Sequence, residues 1–224
     1  MVSGIFFLDY IIFLSFVMLV WLAGRGLLAW SGRLGTEYHD ELGHFIRVQE
    51  PIEENKWLML WSIAIPLICV GAAYGLNGMK YQLIFSVVVA SVFLVQFSLT
   101  DFIWQIIFDK QLALFAILGL SRLFLLGDGL LDGLMAGAVG FAAFFLLAVI
   151  TRGGFGGGDV KLIGAMGLWL GSELLLTTIV WGIIIGGIVA LLLIITKKRS
   201  RREFFPYGPY FALTGMVLFL LTVH

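Results

Sequence analysis

The sequence predicts an all-α protein, a polytopic membrane helix bundle with about eight transmembrane helices. Three observations predict it. Hydrophobic residues make up 61% of the 224 residues and charged residues only 12%, about half the roughly 25% of a soluble domain. Several apolar runs approach 20 residues, the length a helix needs to cross a hydrocarbon core roughly 30 Å thick. The charges are unevenly placed and collect between the runs, although they sum to zero.

The predicted spans are Ile5–Leu22, Trp57–Leu76, Tyr81–Thr100, Gln111–Leu126, Leu130–Ile150, Val160–Gly171, Leu174–Thr196 and Tyr210–Val223. The sixth is short for a bilayer. It is either completed by the glycines before it or tilted among its neighbours. Pro66 falls inside the second span, where its missing N–H predicts a kink unless neighbours satisfy the freed carbonyl. The single cysteine, Cys69, lies in an apolar run. It excludes an internal disulfide and a cysteine metal site. No basic residue precedes the first span, which therefore does not read as a signal peptide; Arg25 and Arg33 follow it instead.

Lysine and arginine set the orientation. With the N-terminus outside, the inside segments are 23–56, 101–110, 151–161 and 197–209, and they hold 12 of the 14 basic residues. Only Lys80 and Arg122 fall elsewhere. The run Lys197–Arg202 pins its loop to the cytoplasm, where anionic lipid adds attraction. Asp101 and Asp159 then emerge on the same cytoplasmic side. Asp9, Asp128, Asp132 and Glu173 lie toward the outside, and Asp128 and Asp132 read as loop and cap residues.

Gly133-x3-Gly137, Gly167-x3-Gly171 and Gly182-x3-Gly186 place small residues on single helix faces and predict close generic packing. The polar stretch Glu37–Glu54 carries six acids against Arg47. It reads first as a solvated face and second as a landing site for a basic peptide. Tyr38, Leu42 and Phe45 recur in it at helical spacing, so part of it is expected along the membrane surface. His39 and His44 are five apart, a spacing that does not put both on one helix face for zinc, so no metal site is expected.

The segment Gly153-Gly154-Phe155-Gly156-Gly157-Gly158-Asp159-Val160-Lys161-Leu162 is the chemical focus. Glycine permits positive φ and close approach of another chain. An ionisable residue at the edge of a membrane span points to function. Asp101 ends another span on the same side. Two carboxylates a few ångströms apart do not both ionise, so one can take a proton from water while the other polarises a carbonyl. That is the chemistry of peptide hydrolysis. Lys161 is a candidate to balance charge or bind a substrate carbonyl. Asp109 rivals Asp101, and Asp159 also suits a helix N-cap.

These residues resemble a known family. Gly156–Leu162 resembles the GxGD-x-K-L segment of the type IV prepilin leader peptidases, which are intramembrane aspartyl proteases of GxGD type. Asp101 followed by Ile107-Phe108-Asp109 resembles the family's first aspartate and a downstream Ile/Leu-Pro-Asp/Asn, with Phe108 in place of proline. Phe205-Pro206-Tyr207-Gly208-Pro209-Tyr210-Phe211-Ala212-Leu213 resembles its Pro-Phe-Gly-Pro stretch. The resemblance implies Asp101 and Asp159 as catalytic aspartates, with Gly156, Gly158, Lys161, Pro206, Gly208 and Pro209 shaping the site or binding substrate. It implies cleavage of a basic leader from prepilin- or pseudopilin-like precursors at the cytoplasmic face of the cell's inner (plasma) membrane. Residues 1–56 would form the first span plus the acidic loop, and residues 57–224 a seven-span catalytic domain.

The resemblance has one departure. Many members carry a zinc-binding loop with two cysteine pairs after the first span and also N-methylate the new amino terminus. This chain has no cysteine there, which puts methylation in doubt. Proteolysis needs no cofactor, and S-adenosylmethionine would serve only a retained methylation. The partners expected are the precursor proteins and membrane lipid, and nucleic acid is not among them. Two other classes compete: a proton-coupled transporter using Asp101 and Asp159 as a relay, and a non-catalytic component of pilus or secretion assembly.

Overall fold

The computed structural model describes residues 2–42, 56–76, 81–127, 129–151, 154–197 and 205–222. Among the described residues the chain forms seven α-helices and no strand: α1 (Val2–Leu42), α2 (Lys56–Leu76), α3 (Tyr81–Trp104), α4 (Asp109–Leu126), α5 (Leu130–Ile150), α6 (Gly157–Ile195) and α7 (Gly208–Thr222). Four segments, in α1, α3, α5 and α6, are long and apolar enough to cross a membrane. The chain is a multi-pass membrane protein, as its apolar runs predict. His44, Glu50, Glu53, Glu54, Lys80, Asp128, Arg152 and the basic residues from Lys198 to Arg202 lie outside the described residues.

Contacts group residues 1–96 with 222–224 as one compact unit and residues 97–221 as another. In the first, α1 runs well past the predicted end at Leu22 and stays helical to Leu42. Buried polar groups tie it down. Gln96 Nε2 donates to Ser31 Oγ at 2.8 Å, and Ser31 Oγ donates to the Leu27 carbonyl at 3.0 Å. α2 continues through Pro66. Proline deprives the carbonyl four residues earlier of its donor, and that carbonyl belongs to Ser62. Gly24 of α1 comes so close that a Cβ on it would lie 3.2 Å from the Ser62 oxygen. The freed carbonyl thus faces the bare Cα of a glycine, a weak C–H donor.

The second unit holds the end of α3 and helices α4 to α7. α4 and α5 both pack on α6. Unbroken, the 39 residues of α6 would reach roughly 58 Å, far beyond a bilayer core. They do not run straight. Gly171 breaks the helix at φ 72° and ψ −177°. A Cβ on Gly140 would lie 2.9 Å from Leu175 and 3.1 Å from Ile163. Those two residues would be roughly 18 Å apart along a straight helix. The chain therefore reverses at Gly171, which is where the predicted sixth and seventh spans divide. The sixth is lengthened by Gly157 and Gly158, which form its first turn.

Charges secure the reversal. Asp132, in the first turn of α5, caps the arm after Gly171 rather than its own helix. Its Oδ2 accepts the Ser172 N–H at 3.0 Å and its Oδ1 accepts the Ser172 hydroxyl at 2.5 Å. Arg122 Nη1 donates to the Trp169 carbonyl at 3.4 Å, at the end of the arm before the break. A carboxylate at a helix start and a guanidinium at a helix end both complement the macrodipole. A Cβ at Gly171 would collide with Asp132 Oδ2 and hold a strained φ. Gly171→Ala is therefore expected to cost about 1–3 kcal/mol, seen as a lower unfolding temperature of the purified protein. An unchanged temperature would contradict this description of the turn.

Candidate active site

α3 delivers Asp101 one turn before its end, and the carboxyl is buried at 5% exposure. Gln105 ends the helix in a left-handed conformation, φ 56°, and donates its N–H to the Asp101 carbonyl at 2.9 Å. The next residues lead into α4 through Phe108, fully buried, at φ −72°. That is the φ a proline would fix, so phenylalanine keeps the backbone shape and fills the interior.

Asp159 is the third residue of α6, after the N-cap Gly156. It is not the cap itself. Its Oδ2 reaches back and accepts the Gly156 N–H at 3.2 Å, one arm of a capping box. The carboxyl is 3% exposed. The described glycines of this segment do not use positive φ; among the described glycines only Gly127, Gly129 and Gly171 do. Glycine serves here for closeness and openness instead. A Cβ on Gly158 would press on Ile107 at 3.2 Å, whereas Gly157 has open space.

The two carboxyls meet at Gly208, the first residue of α7. A Cβ on Gly208 would lie 2.5 Å from Asp101 Oδ2 and 3.1 Å from Asp159 Oδ1. The two oxygens are therefore no farther apart than the sum of those distances. The Gly208 N–H lies near both carboxyls, at a helix start where partial positive charge collects. Asp101 Oδ2 is nonetheless buried without a hydrogen-bond partner among the described residues. Pro209 follows at the favoured first-turn position, and its carbonyl accepts from Ser98 Oγ at 3.5 Å, joining α7 to α3. Pro206 is buried beside them.

Lys161 goes elsewhere. Its Nζ donates to both carboxylate oxygens of Asp109 at 2.7 Å, on a half-exposed surface. Asp109 is thereby committed to an ion pair between the starts of α4 and α6, and it does not join the carboxyl pair.

The sequence reading missed an aromatic frame. Phe155 of the glycine segment contacts Phe144 and Tyr207, with ring centroids 5.2 and 5.3 Å away. Phe211 closes the circle at 5.5 Å from Phe144 and 6.1 Å from Tyr207. Gly182 and Gly186 seat this frame: a Cβ on Gly186 would press on Tyr207 at 3.0 Å, and one on Gly182 would collide with Phe211. The spacing Gly182-x3-Gly186 was the available signal, but it reads as generic packing until the aromatic partners are known.

Residues 88–191 match the type IV leader peptidase family, a stretch that contains both Asp101 and Asp159. The chain is similar to the prepilin leader peptidase/N-methyltransferase of Bacillus subtilis (strain 168), at 30% identity over 68% of this chain and 62% of that protein. It resembles the protein of the same description from Xanthomonas campestris at 29% identity over 89% of this chain and 64% of the relative. The Neisseria gonorrhoeae relative is 30% identical over 70% of this chain and 58% of its own length. The chain thus spans somewhat less than two thirds of these curated relatives. No solved structure matches it.

Proposed function

We propose that this chain is a membrane aspartyl endopeptidase that removes the basic leader from prepilin- or pseudopilin-like precursors. The observation that carries the reading is the meeting of the buried Asp101 and Asp159 carboxyls at Gly208. The family and the relatives' names support it. Asp159 has a backbone donor on one oxygen, which suits the ionised partner. Asp101 Oδ2 has no hydrogen-bond partner among the described residues, which suits the oxygen that holds the shared proton. In the proposed reaction Asp159 takes a proton from water, and the water oxygen bonds to the scissile carbonyl carbon. Asp101 donates its proton to the carbonyl oxygen. Collapse of the diol breaks the C–N bond: a diol hydroxyl returns its proton to Asp101 as the carbonyl re-forms, and the proton held on Asp159 passes to the leaving nitrogen. The pair is then back to one proton.

In this reading the eight helical segments, counting the two arms of α6 separately, form a GxGD-type bundle in the inner (plasma) membrane. The N-terminus is outside and the dyad is at the cytoplasmic face, as the placement of lysine and arginine supports. Residues 57–224 carry the chemistry, with Gly156, Gly158, Pro206, Gly208 and Pro209 shaping it. Residues 1–56 supply the first span and the acidic loop. The Gly156 and Gly208 backbone lies at the carboxyls, and hydrolysis by the pair calls for no further group. S-adenosylmethionine enters only if N-methylation is retained, as the relatives' names allow. The test is co-expression with a prepilin-like precursor and the mass of its new N-terminus. A shortened product supports the endopeptidase, and one extra methyl group would add the second activity. A precursor left uncut would remove the reading.

A further inference from the structure

Two backbone donors stand at the dyad, and each belongs to a glycine. The Gly156 N–H donates to Asp159 Oδ2 at 3.2 Å, and the Gly208 N–H lies near both carboxyls. Glycine has the loosest backbone of any residue and no side chain to pack. Side-chain packing can therefore hold these donors only through their neighbours. The residue before each glycine is aromatic: Phe155 and Tyr207.

Peptide geometry gives that neighbour its leverage. The atoms from one Cα to the next are coplanar, so the Gly156 N–H shares a plane with the Phe155 Cα, and the Gly208 N–H with the Tyr207 Cα. In a trans peptide the N–H points opposite to the C=O. The Tyr207 carbonyl points into α7, where it accepts the Tyr210 and Phe211 N–H groups at 3.0 and 3.2 Å. The Gly208 N–H in the same plane therefore points away from α7, to the side where the carboxyls lie. Phe155 carries the one side chain between Gly153 and Gly158, so side-chain packing of that stretch passes through its ring.

The two rings meet. Their centroids are 5.3 Å apart and the planes are tilted by 45°, within the range where aromatic pairs attract. Each ring has a backing on a helix. Phe144 of α5 stands edge-on to Phe155 at 5.2 Å. Gly186 of α6 admits Tyr207, whose ring a Cβ there would press at 3.0 Å. Phe155 and Tyr207 are both half-buried, so removing either ring disturbs the fold less than removing a core phenylalanine would.

We propose that Phe155 and Tyr207 are positioning residues: their ring contact clasps the segment before α6 to the start of α7 and fixes the Gly156 and Gly208 N–H groups against the two carboxyls. The inference rests on the endopeptidase reading and adds what holds its backbone donors in register. It is tested by kcat and KM on one precursor for Phe155→Ala, Tyr207→Ala and the double variant, beside Phe155→Tyr and Tyr207→Phe. In both alanine variants kcat is expected to fall at least about tenfold, as a sub-ångström to ångström misplacement at reacting groups does, while KM stays within about twofold because the rings do not bind substrate. The double variant should be no slower than the slower single, since either change alone opens the same contact. Phe155→Tyr and Tyr207→Phe keep both rings and should restore kcat. Phe155→Leu keeps apolar bulk without the ring and covers the case in which Phe155→Ala does not fold; it should lose kcat at least about threefold, the order an aromatic pair is worth. Losses that multiply in the double variant, or a rise in KM with kcat kept, would overturn the clasp. So would a Tyr207→Phe variant as slow as Tyr207→Ala, which would assign the effect to the hydroxyl. Alanine variants that cut as fast as an active wild type would overturn the clasp alone, whereas a wild type that cuts no precursor would remove the endopeptidase reading and this inference with it.

Discussion

Gly208→Ala is expected to lower precursor cleavage by about a hundredfold while leaving the protein folded. The new methyl carbon would sit 2.5 Å from Asp101 Oδ2 and 3.1 Å from Asp101 Cγ and Asp159 Oδ1. No carbon tolerates the first of these distances, so either the Asp101 side chain or the start of α7 must shift. A displacement near 1 Å at reacting groups costs about 10² in rate. Folding should survive, because the rest of α7 keeps its contacts and φ at Gly208 is not in the left-handed region. Gly187→Ala, on α6 with open space at its Cβ, is the matching control and should cleave normally. A Gly208→Ala protein that processes at the wild-type rate would show that Gly208 does not hold the carboxyl pair in its working geometry.

Asp101→Asn and Asp159→Asn are each expected to reduce cleavage by roughly a thousandfold, within the range that positioned general acids and bases contribute. Asparagine keeps the size of the side chain and removes its proton exchange. At position 159 it also keeps an oxygen for the Gly156 N–H, so loss there would report chemistry more than folding. Asp109→Asn gives the contrast. Its carboxylate is paired with Lys161 on a half-exposed surface, where an ion pair contributes about 1 kcal/mol or less. It should therefore lose far less activity than either dyad variant. Cleavage rates of the three variants on one precursor check this. An Asp109→Asn variant as inactive as Asp101→Asn would reopen the assignment of the first acid.

Much of this was legible in sequence for definite reasons. Apolar runs and their polar gaps marked the helices, because backbone N–H and C=O groups in lipid must be satisfied within the segment and runs near 20 residues are too long for barrel strands. The polar stretch Gly171-Ser172-Glu173 separated two spans that the structure joins without an intervening loop and folds back at Gly171. Asp101 and Asp159 came out on one side from charge placement alone. What was not legible depended on partners distant in sequence. Lys161 finds Asp109, 52 residues away. Asp132 secures a turn 40 residues on. Gly208 was noticed only for its resemblance to a family motif, and its place between two carboxyls is a tertiary fact. Of the two uses that glycine allows, positive φ and close approach, the described glycines of the segment before Asp159 show the second.

The central claim is that Asp101 and Asp159 act as one unit that shares a proton. Groups that work as a unit are not additive when removed. The direct measurement is the cleavage rate of wild type, Asp101→Asn, Asp159→Asn and the double variant, each in lipid vesicles with the same precursor. The expected result is that both single variants and the double variant fall to about the same low rate. A double variant slower than either single by the product of their effects, or a single variant that still cleaves near the wild-type rate, would contradict the paired site.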